Sequence, residues 1–201
     1  MTSSRPGLTI QNLRREDLPR LKVFTDGAIG KGYYSLEELE EIFEKSHAIG
    51  RDGLEHMCSL VLRDGDEILG VRITYAPGKW DHGKGEGENH GLHVGLWPHP
   101  LSETGYFQSL FLADELQGEG WGPKLSLASI EQLKKLGARG VVCHSWKESP
   151  HNSSVRYLEK MGFAKIAEHP LYWQHVNYNC PRCGPPPCQC TAIEMYLDIV
   201  P

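Results

Sequence analysis

The sequence lacks an excess of basic residues, a long apolar run and any internal repeat. Lys and Arg number 21 against 26 Asp and Glu in 201 residues, a formal net charge of −5, whereas unspecific binding to a phosphate backbone requires a strongly basic face. No apolar run approaches the roughly 18 residues of a membrane helix, and the first residues contain no apolar core of a secretory signal. We therefore expect no nucleic-acid partner, no membrane partner and a cytoplasmic location.

What is present is the composition of a folded domain. Hydrophobic residues make up 39% and charged residues 23% of the chain, an ordinary globular mixture that excludes wholesale disorder. At roughly 150 residues per domain, the length predicts a single domain over residues 1–201.

The hydrophobic periodicity predicts seven strands and four helices in the order βααββ, a long loop, then βαβαββ. Strands are expected at 7–13, 57–62, 68–75, 106–112, 140–146, 163–168 and 193–199. Ser35 and Glu38 form a capping-box pattern that opens the second helix, and Gly137 ends the third. Strands that outnumber and mix with helices indicate an α/β sheet of about seven strands flanked by helices.

A turn with three glycines joins an expected strand to the third helix. Gly118, Gly120 and Gly122 let backbone N–H groups crowd round one point, and the first turn of a helix offers unpaired amides at its positive end. Pro123 suits a first-turn position, where no donor is needed. The turn therefore predicts an anion site for a phosphate or pyrophosphate.

Three other interpretations of glycine-rich segments are weighed against this one. A dinucleotide fingerprint would require glycine at position 123, which is proline. A phosphate-binding loop is nearly matched at 78–85, but Gly85 replaces the Ser or Thr that would hold Mg²⁺. A plain tight strand-to-helix turn at 118–122 stays open.

Two stretches resemble the GCN5-related N-acetyltransferases. Gln117-Gly-Glu-Gly120-Trp-Gly122 is similar to the family's Gln/Arg-x-x-Gly-x-Gly/Ala motif, which binds the pyrophosphate of coenzyme A, and Ser153–Phe163 looks like its later helix with a Gly-Phe ending. The resemblance covers residues 7–169 and the final strand. It implies a mostly antiparallel sheet and acetyl-CoA as co-substrate.

The resemblance also implies which residues bind the coenzyme. The strand before the glycine turn would pair its backbone with the pantetheine arm, and the turn itself would hold the pyrophosphate. The implied residues are Leu110, Phe111, Leu112, Gln117, Gly118, Glu119, Gly120, Trp121, Gly122, Pro123, His151 and Asn152. His151 stands where many members have Asn. Leu158 stands where many have a tyrosine acid, and Tyr157 lies one residue away, about 100° round the helix, so we expect it to face elsewhere.

The chemistry of amide formation requires that an amine lose a proton. An alkyl amine has a pKa of about 10.4, so a base would assist its attack on a thioester. His144 and Glu148 at the end of the fifth main strand are the candidate catalytic residues, and Tyr106 and Gln108 are expected to line the acceptor cleft. A packed or surface histidine and a solvated carboxylate are the alternatives.

Residues 77–104 form a long loop without periodicity, which is usually functional or mobile. We expect an acceptor-binding flap in which Trp80, Trp97, Glu86 and Glu88 hold an amine cation. The alternative is a solvated loop anchored by buried tryptophans. The loop also carries His82, His90, His93 and His99, but the spacing of His90 and His93 supports a metal site only weakly.

Cysteine usage is uneven. Cys58 and Cys143 lie singly in apolar stretches and are expected to be buried thiols. The other four, Cys180, Cys183, Cys188 and Cys190, fall within eleven residues. Four soft ligands this close satisfy tetrahedral Zn²⁺ with no open position, so we expect a structural zinc knuckle at 178–191, inserted between the last two strands. Two disulfides or an iron–sulfur cluster are the alternatives.

These features predict an acyl-CoA-dependent N-acyltransferase, with acetyl as the expected group. An amine on a small molecule or a peptide would attack the thioester directly, since no activated nucleophile is evident. A second hypothesis is a zinc-knuckle interaction module that binds coenzyme A without catalysis. A homodimer is left open.

Overall fold

The computed structural model describes residues 7–85 and 88–200. Its strands are β1 Leu8–Asn12, β2 His47–Ile49, β3 Glu55–Met57, β4 Leu60–Asp64, β5 Glu67–Tyr75, β6 Thr104–Leu112, β7 Gly140–Trp146, β8 Ala164–His169 and β9 Ala192–Asp198. Its helices are α1 Leu18–Ala28, α2 Leu36–Lys45, α3 Trp121–Lys135 and α4 Ser153–Lys160.

Seven of these strands form one sheet in the order β1-β4-β5-β6-β7-β9-β8. All neighbours are antiparallel except β6 and β7. The predicted fold class, a mixed and mostly antiparallel sheet of about seven strands flanked by helices, is confirmed. The strand β9 lies between β7 and β8, one position in from the edge of the sheet.

Local signals in the sequence account for several element boundaries. Ser35 Oγ accepts from the amide of Glu38 at 3.1 Å, and the Glu38 carboxylate accepts from the amide of Ser35 at 2.7 Å. This reciprocal pair begins α2 as expected. Gly137, with φ +88°, follows the end of α3 in the left-handed region that glycine adopts without strain.

One expected strand is divided in two. The run 57–62 breaks after Met57 because Cys58 donates its amide to the Ser46 carbonyl, while Ser59 accepts from the amide of Leu13. The first part pairs with residues 47–49 as the small β2–β3 hairpin, and the second part enters the main sheet as β4. Because those bonds go to residues outside the run, periodicity within it does not reveal the break.

The two helix pairs cover opposite faces of the sheet. Leu125 of α3 packs with Leu60 and Leu62 of β4. Leu21 of α1 belongs to the core that contains Val61 of the same strand. Successive strand residues point to opposite faces, so α3 lies on one side and α1 on the other.

The only parallel pairing of the sheet opens before its strands end. Residues 104–107 of β6 pair with residues 140–143 of β7, and no pairing continues beyond Phe107 and Cys143. Both strands run on, to Leu112 and Trp146. Gln108 is an extra residue in the β5–β6 ladder, since Ile73 pairs with Ser109 and the next β5 residue pairs with Phe107. A V-shaped gap therefore opens beside a β-bulge, a feature that bends a strand.

Within residues 7–85 and 88–200, no helix is both long enough and apolar enough to cross a membrane.

Candidate active site

The start of α3 carries backbone amides without carbonyl partners. In the described part of the chain, the amides of Gly118, Gly120, Trp121 and Gly122 donate to no backbone oxygen, and Pro123 has no N–H. Gly118 and Gly120 have φ values of +81° and +83°, which side chains rarely tolerate. The unpaired amides and the positive helix end together suit an anion.

This glycine turn follows the open side of the V after one short 3-10 helix, Asp114–Leu116. Beyond Phe107, the edge of β6 that faces β7 has no strand partner among the described residues. Leu110, Phe111 and Leu112 line this stretch and are half-buried. A Cβ added at Gly122 would lie 3.2 Å from Leu110 Cδ2, so this glycine keeps α3 close to the strand. The residues expected to hold the pantetheine arm and the pyrophosphate thus follow one another from the free edge of β6 to the start of α3, a path that we call the groove.

The side chains of other residues named for this groove have local partners. Gln117 Nε2 donates to Asp114 Oδ1 at 2.8 Å, and the amide of Glu119 donates to the Leu116 carbonyl at 3.4 Å. The Gln117 side chain and the Glu119 backbone amide are therefore both engaged within the turn.

His151 and Asn152 lie exposed at the start of α4, both in the left-handed region, with φ values of +54° and +53°. The helix is capped by another residue, since Ser149 Oγ accepts from the amide of Ser154 at 3.0 Å. The Asn152 side chain makes no capping bond.

Tyr157 reaches inward from α4, toward α3 and β5, whereas Leu158 is buried in the core beside it. Its hydroxyl bonds to Ser126 Oγ of α3, and Arg72 Nη2 of β5 donates to it at 3.0 Å. Arg72 is 3% exposed and pairs in register with Leu110, and its guanidinium lies 4.1 Å from the Phe107 ring centroid. A tyrosine side chain is long enough to cross the gap between the two helices, a reach that helical angle alone does not show.

Arg72 makes no ion pair with a carboxylate among the described residues. Its donors go instead to the two hydroxyls, with 3.1 and 2.8 Å to Ser126 Oγ. A positive charge is therefore buried next to the strand that lines the groove.

His144 directly follows Cys143, the last β7 residue paired with β6, and is therefore the first residue of the opened part. It is almost fully buried, at 8% exposed. Its Nδ1 is 2.8 Å from the Tyr106 hydroxyl, and its Nε2 is 2.7 Å from the Gly91 carbonyl. Its ring stacks on Tyr172 with centroids 4.3 Å apart. Burial lowers the pKa of His144 from 6.5 to about 4, against the opposing effects of the Gly91 carbonyl and the charge of Glu194. The imidazole is neutral at pH 7.

Glu148 lies elsewhere and does not contact His144. Its two carboxylate oxygens accept from the amide of Thr191 at 3.2 and 3.0 Å, and Arg182 Nη1 is 3.9 Å away. These contacts connect the end of β7 to the cysteine-rich segment.

The long loop between β5 and β6 packs on the aromatic cluster around His144. A Cβ added at Gly83 would collide with the Tyr106 hydroxyl, and one at Gly85 with the Tyr172 ring. One at Gly91 would lie 3.1 Å from His144 Nε2. These glycines, which contribute to the lack of hydrophobic periodicity in the loop, are the residues that let its backbone approach the aromatic cluster closely.

The two tryptophans of this loop are core residues. Trp80 is 4% and Trp97 is 8% exposed. Their indole N–H groups donate to the Thr104 carbonyl and to Glu194 Oε1, each at 2.8 Å. Of the carboxylates expected to join them round an amine cation, Glu86 and the side chain of Glu88 lie outside the described residues.

A cavity of about 120 Å³ lies between α2, this loop and the bulge of β6. Its lining includes Tyr34, Glu38, Glu41, Tyr75, Lys84 and Gln108. The amide oxygen of Gln108 is buried and has no partner in the described part of the chain. The cavity thus combines carboxylates, aromatic rings and one unsatisfied acceptor at the bulge.

Lys84 places its own ammonium in the wall of this cavity. Its Nζ is 2.6 Å from Glu38 Oε1 and lies 4.8 and 4.6 Å from the ring centroids of Tyr33 and Tyr34. Burial lowers the pKa of Lys84, while Glu38 opposes that shift. Two aromatic faces and a carboxylate form a typical site for an alkylammonium group.

The four clustered cysteines come together between β8 and β9. Their sulfur atoms all lie within 4.8 Å of one another, with 3.6 Å from Cys183 to Cys190 and 3.9 Å from Cys180 to Cys190. A tetrahedral zinc site with Zn–S bonds of about 2.3 Å has sulfur separations of about 3.8 Å. None of the four forms a disulfide. The sulfur positions therefore fit a tetrathiolate metal site.

Neighbouring groups hold this cysteine segment in shape. Cys180 and Gly184 exchange two backbone hydrogen bonds of 2.9 Å, and Gly184 has φ +80°. The amide of Gln189 donates to Cys183 Sγ at 3.4 Å, and the Tyr178 hydroxyl donates to Cys188 Sγ at 3.5 Å. Hydrogen bonds to ligating sulfurs are the second layer that a structural metal site requires.

No family model matches the sequence, and no curated protein matches it. The chain is similar in structure to the ribosomal-protein-S18-alanine N-acetyltransferase from Escherichia coli, with 14% identity, a TM-score of 0.64, and 96% of this chain and 95% of that chain covered. The chain is also similar to yncA from Salmonella typhimurium, a putative acetyltransferase solved with its cofactor acetyl-CoA. The identity is 15%, the TM-score is 0.61, and 96% of this chain and 95% of that chain are covered. For Arabidopsis thaliana Naa50 with the bisubstrate analogue CoA-Ac-MVNAL, the identity is 12%, the TM-score is 0.61, and 96% of this chain and 99% of that chain are covered. The chain has the fold of the GCN5-related N-acetyltransferases.

Proposed function

We propose that this protein is an acetyl-CoA-dependent N-acetyltransferase that acts on a primary amine by direct transfer. The observation that carries the proposal is the opened β6–β7 pair, whose free β6 edge leads to the unpaired amides of Gly118, Gly120 and Gly122. The fold shared with a structure that contains acetyl-CoA supports it.

The coenzyme would lie along this groove in extended form. Its pyrophosphate would accept hydrogen bonds from the amides at the start of α3. Its pantetheine arm would pair with the free backbone edge at Leu110–Leu112, as an added strand does. Since the arm runs from the turn toward the closed end of the V, the thioester would lie beside Gln108. A backbone N–H there would polarise the thioester carbonyl.

The acceptor would enter from the opposite face, through the cavity under α2. Glu38, Glu41 and the tyrosine rings suit a cationic group, and Lys84 already satisfies part of that set. The acceptor is therefore an amine that carries, or belongs to, a positively charged group. The bisubstrate analogue of Naa50 contains a peptide, which supports a peptide as one acceptor class.

Proton removal is assigned to His144 acting through Tyr106. A neutral amine attacks the carbonyl carbon, the carbonyl π electrons move to oxygen, and the nitrogen becomes an acidic ammonium. Tyr106 takes that proton while it passes its own to Nδ1 of His144, the atom to which its hydroxyl already points. Glu148, occupied by Thr191, is given an anchoring role instead.

The collapse of the intermediate breaks the C–S bond and releases a thiolate. Thiols have a pKa of about 8.5, so thiolate leaves readily. Tyr157 is the candidate donor for its protonation, and the guanidinium of Arg72 beside it favours negative charge in this place.

The four cysteines would hold Zn²⁺ through their thiolates and supply no open coordination position. The ion would fix the 178–191 segment, which packs through Cys180, Cys188 and Cys190 into the same core as Tyr34 and Tyr172. The knuckle would then shape one wall above the acceptor face without taking part in the reaction.

An assay of coenzyme A release from acetyl-CoA against a panel of primary amines and N-terminal peptides tests the proposal. We expect turnover with at least one cationic amine and mass addition of one acetyl group to it. Coenzyme binding without turnover on any amine would favour the non-catalytic, zinc-knuckle binding module instead. Absence of coenzyme binding would contradict both.

A further inference from the structure

A fully buried carboxylate lies next to the candidate active site and has an unusual set of partners. Glu194 of β9 is 0% exposed and pairs in register with His144 of β7. Its Oε1 accepts from the amide of His93 at 2.9 Å and from Trp97 Nε1 at 2.8 Å. These two donors fix the orientation of the carboxylate.

The second oxygen, Oε2, faces two histidines from distant parts of the chain. His93 Nδ1 is 2.7 Å away and His169 Nε2 is 3.3 Å away. One atom from each of the three residues lies within 4.8 Å of the others. Ligand atoms bonded to one ion at about 2.0–2.2 Å lie about 3.0–3.5 Å apart. The 3.3 Å separation lies within this range, and the 2.7 Å separation lies just below it.

The donor set matches that of late first-row divalent ions. Two imidazole nitrogens and one carboxylate oxygen suit Zn²⁺ and Co²⁺ and leave a fourth position open. The donors on Oε1 supply the second layer that orients a ligating carboxylate.

The exposed side chain of His93 makes the cluster accessible to an ion from solvent. The His93 side chain is 46% exposed, and it lines an open cleft together with Asp81, His90 and Leu96. His90 does not join the cluster and instead lies against His82, with ring centroids 4.9 Å apart. Removal of the His90 ring therefore tests the cleft without altering the three ligands.

We propose that His93, His169 and Glu194 bind a divalent transition-metal ion, separate from the four cysteines. On binding, the hydrogens on His93 Nδ1 and His169 Nε2 move to the other nitrogen of each ring by exchange with solvent, and the two freed nitrogens bond to the ion together with Glu194 Oε2, which carries no proton. The site connects the long loop, through His93, to the ends of β8 and β9. Binding therefore ties the loop over the His144 cluster.

Equilibrium binding of Zn²⁺ alone, measured by competition with a chromophoric chelator, tests this proposal on the full chain. We expect His93→Ala and His169→Ala each to bind one ion fewer per chain than the parent, and His90→Ala to bind the same number as the parent. Circular dichroism establishes that each variant is folded. An unchanged stoichiometry in both folded His93→Ala and His169→Ala would overturn the proposal.

Co²⁺ alone gives a second readout that separates the two kinds of site. A tetrathiolate site produces intense sulfur-to-metal charge-transfer bands, whereas a His₂Glu site produces only weaker d–d bands. We expect His93→Ala to lose d–d intensity while its charge-transfer bands stay constant. If all Co²⁺ absorption in the parent has thiolate character, the proposal fails.

Discussion

The Tyr106 hydroxyl donates a hydrogen bond of 2.8 Å to Nδ1 of His144. The direction of this bond follows from the other side of the ring, where Nε2 lies 2.7 Å from the Gly91 carbonyl. A carbonyl only accepts, so Nε2 carries the hydrogen and Nδ1 is the free acceptor. The long loop therefore fixes the tautomer that leaves the basic nitrogen facing the Tyr106 hydroxyl.

We expect this buried histidine to make folding stability depend on pH. Burial lowers its pKa from 6.5 to about 4, so between these values the unfolded chain binds a proton that the folded chain does not. Stability therefore falls as pH drops from about 6.5 and levels off below about 4. His144→Phe keeps a ring against Tyr172 and removes this dependence, a difference of about 2 kcal/mol between pH 7 and pH 5.

Urea unfolding of parent and His144→Phe at these two pH values measures that difference. His151→Asn is the matched control, because His151 is exposed and asparagine tolerates its positive φ. We expect the control to keep the parent's pH dependence. If the free energy of unfolding changes equally with pH in the parent and in His144→Phe, then the pKa of His144 does not change on unfolding.

Lys84 is expected to compete with the acceptor. Lys84→Met removes the ammonium from Glu38 and the two tyrosine rings, which leaves them free for a cationic substrate. A cation–aromatic contact contributes about 0.5–2 kcal/mol, so KM for a cationic amine should fall about 2- to 30-fold. Steady-state kinetics with Lys79→Met, an exposed lysine of the same loop, as control measures this. A raised KM would mean that Lys84 helps to bind the acceptor.

The cysteine cluster is expected to stabilise the fold only when metal is bound. Chelation of the ion, or Cys188→Ser, should lower Tm by at least about 5 °C, since each kcal/mol shifts Tm by about 2–4 °C in a chain of this size. Differential scanning calorimetry with and without Zn²⁺ measures the shift. Cys58→Ser is the control, because that thiol is buried away from the cluster and donates to the Ser46 carbonyl. A Zn²⁺-independent Tm in the parent would contradict a structural zinc site.

Much of the fold could be predicted because its signals are local. The capping box at Ser35, the glycine after α3 and the hydrophobic periodicity of each strand-forming run all act within a few residues. The seven strands and four helices follow from them. The β2–β3 hairpin was not predictable in this way, because it depends on the amide of Cys58 reaching the distant Ser46 carbonyl.

The candidate site divides along the same line. The glycine turn and the cysteine cluster are each formed by residues close together in the chain, so the sequence predicts both. The partners of Glu194 come from positions 93, 97 and 169, so no spacing rule connects them. The partners of Tyr157 are equally non-local, because its hydroxyl bonds to Ser126 of another helix and to Arg72 of β5. The one signal for the Glu194 cluster in the sequence is the histidine-rich loop that contains His93. The other two members, His169 and Glu194, lie far from that loop along the chain.

Coenzyme A affinity of Gly120→Val, compared with Gly53→Val, tests the central claim most directly. Both glycines are exposed, with φ +83° and +76°, and an added Cβ meets nothing within 4 Å at either. Each substitution should therefore cost similar stability, about 1–2 kcal/mol. The difference between them isolates the role of the turn.

We expect Gly120→Val to weaken coenzyme A binding, measured by isothermal titration calorimetry, by at least about tenfold, since each charge-assisted hydrogen bond contributes about 1.5–3 kcal/mol. Gly53→Val should bind coenzyme A as the parent does, and pantetheine, which has no pyrophosphate, should bind equally to all three. If Gly120→Val is folded and binds coenzyme A as tightly as Gly53→Val, the amides at the start of α3 do not hold the diphosphate and the account is contradicted.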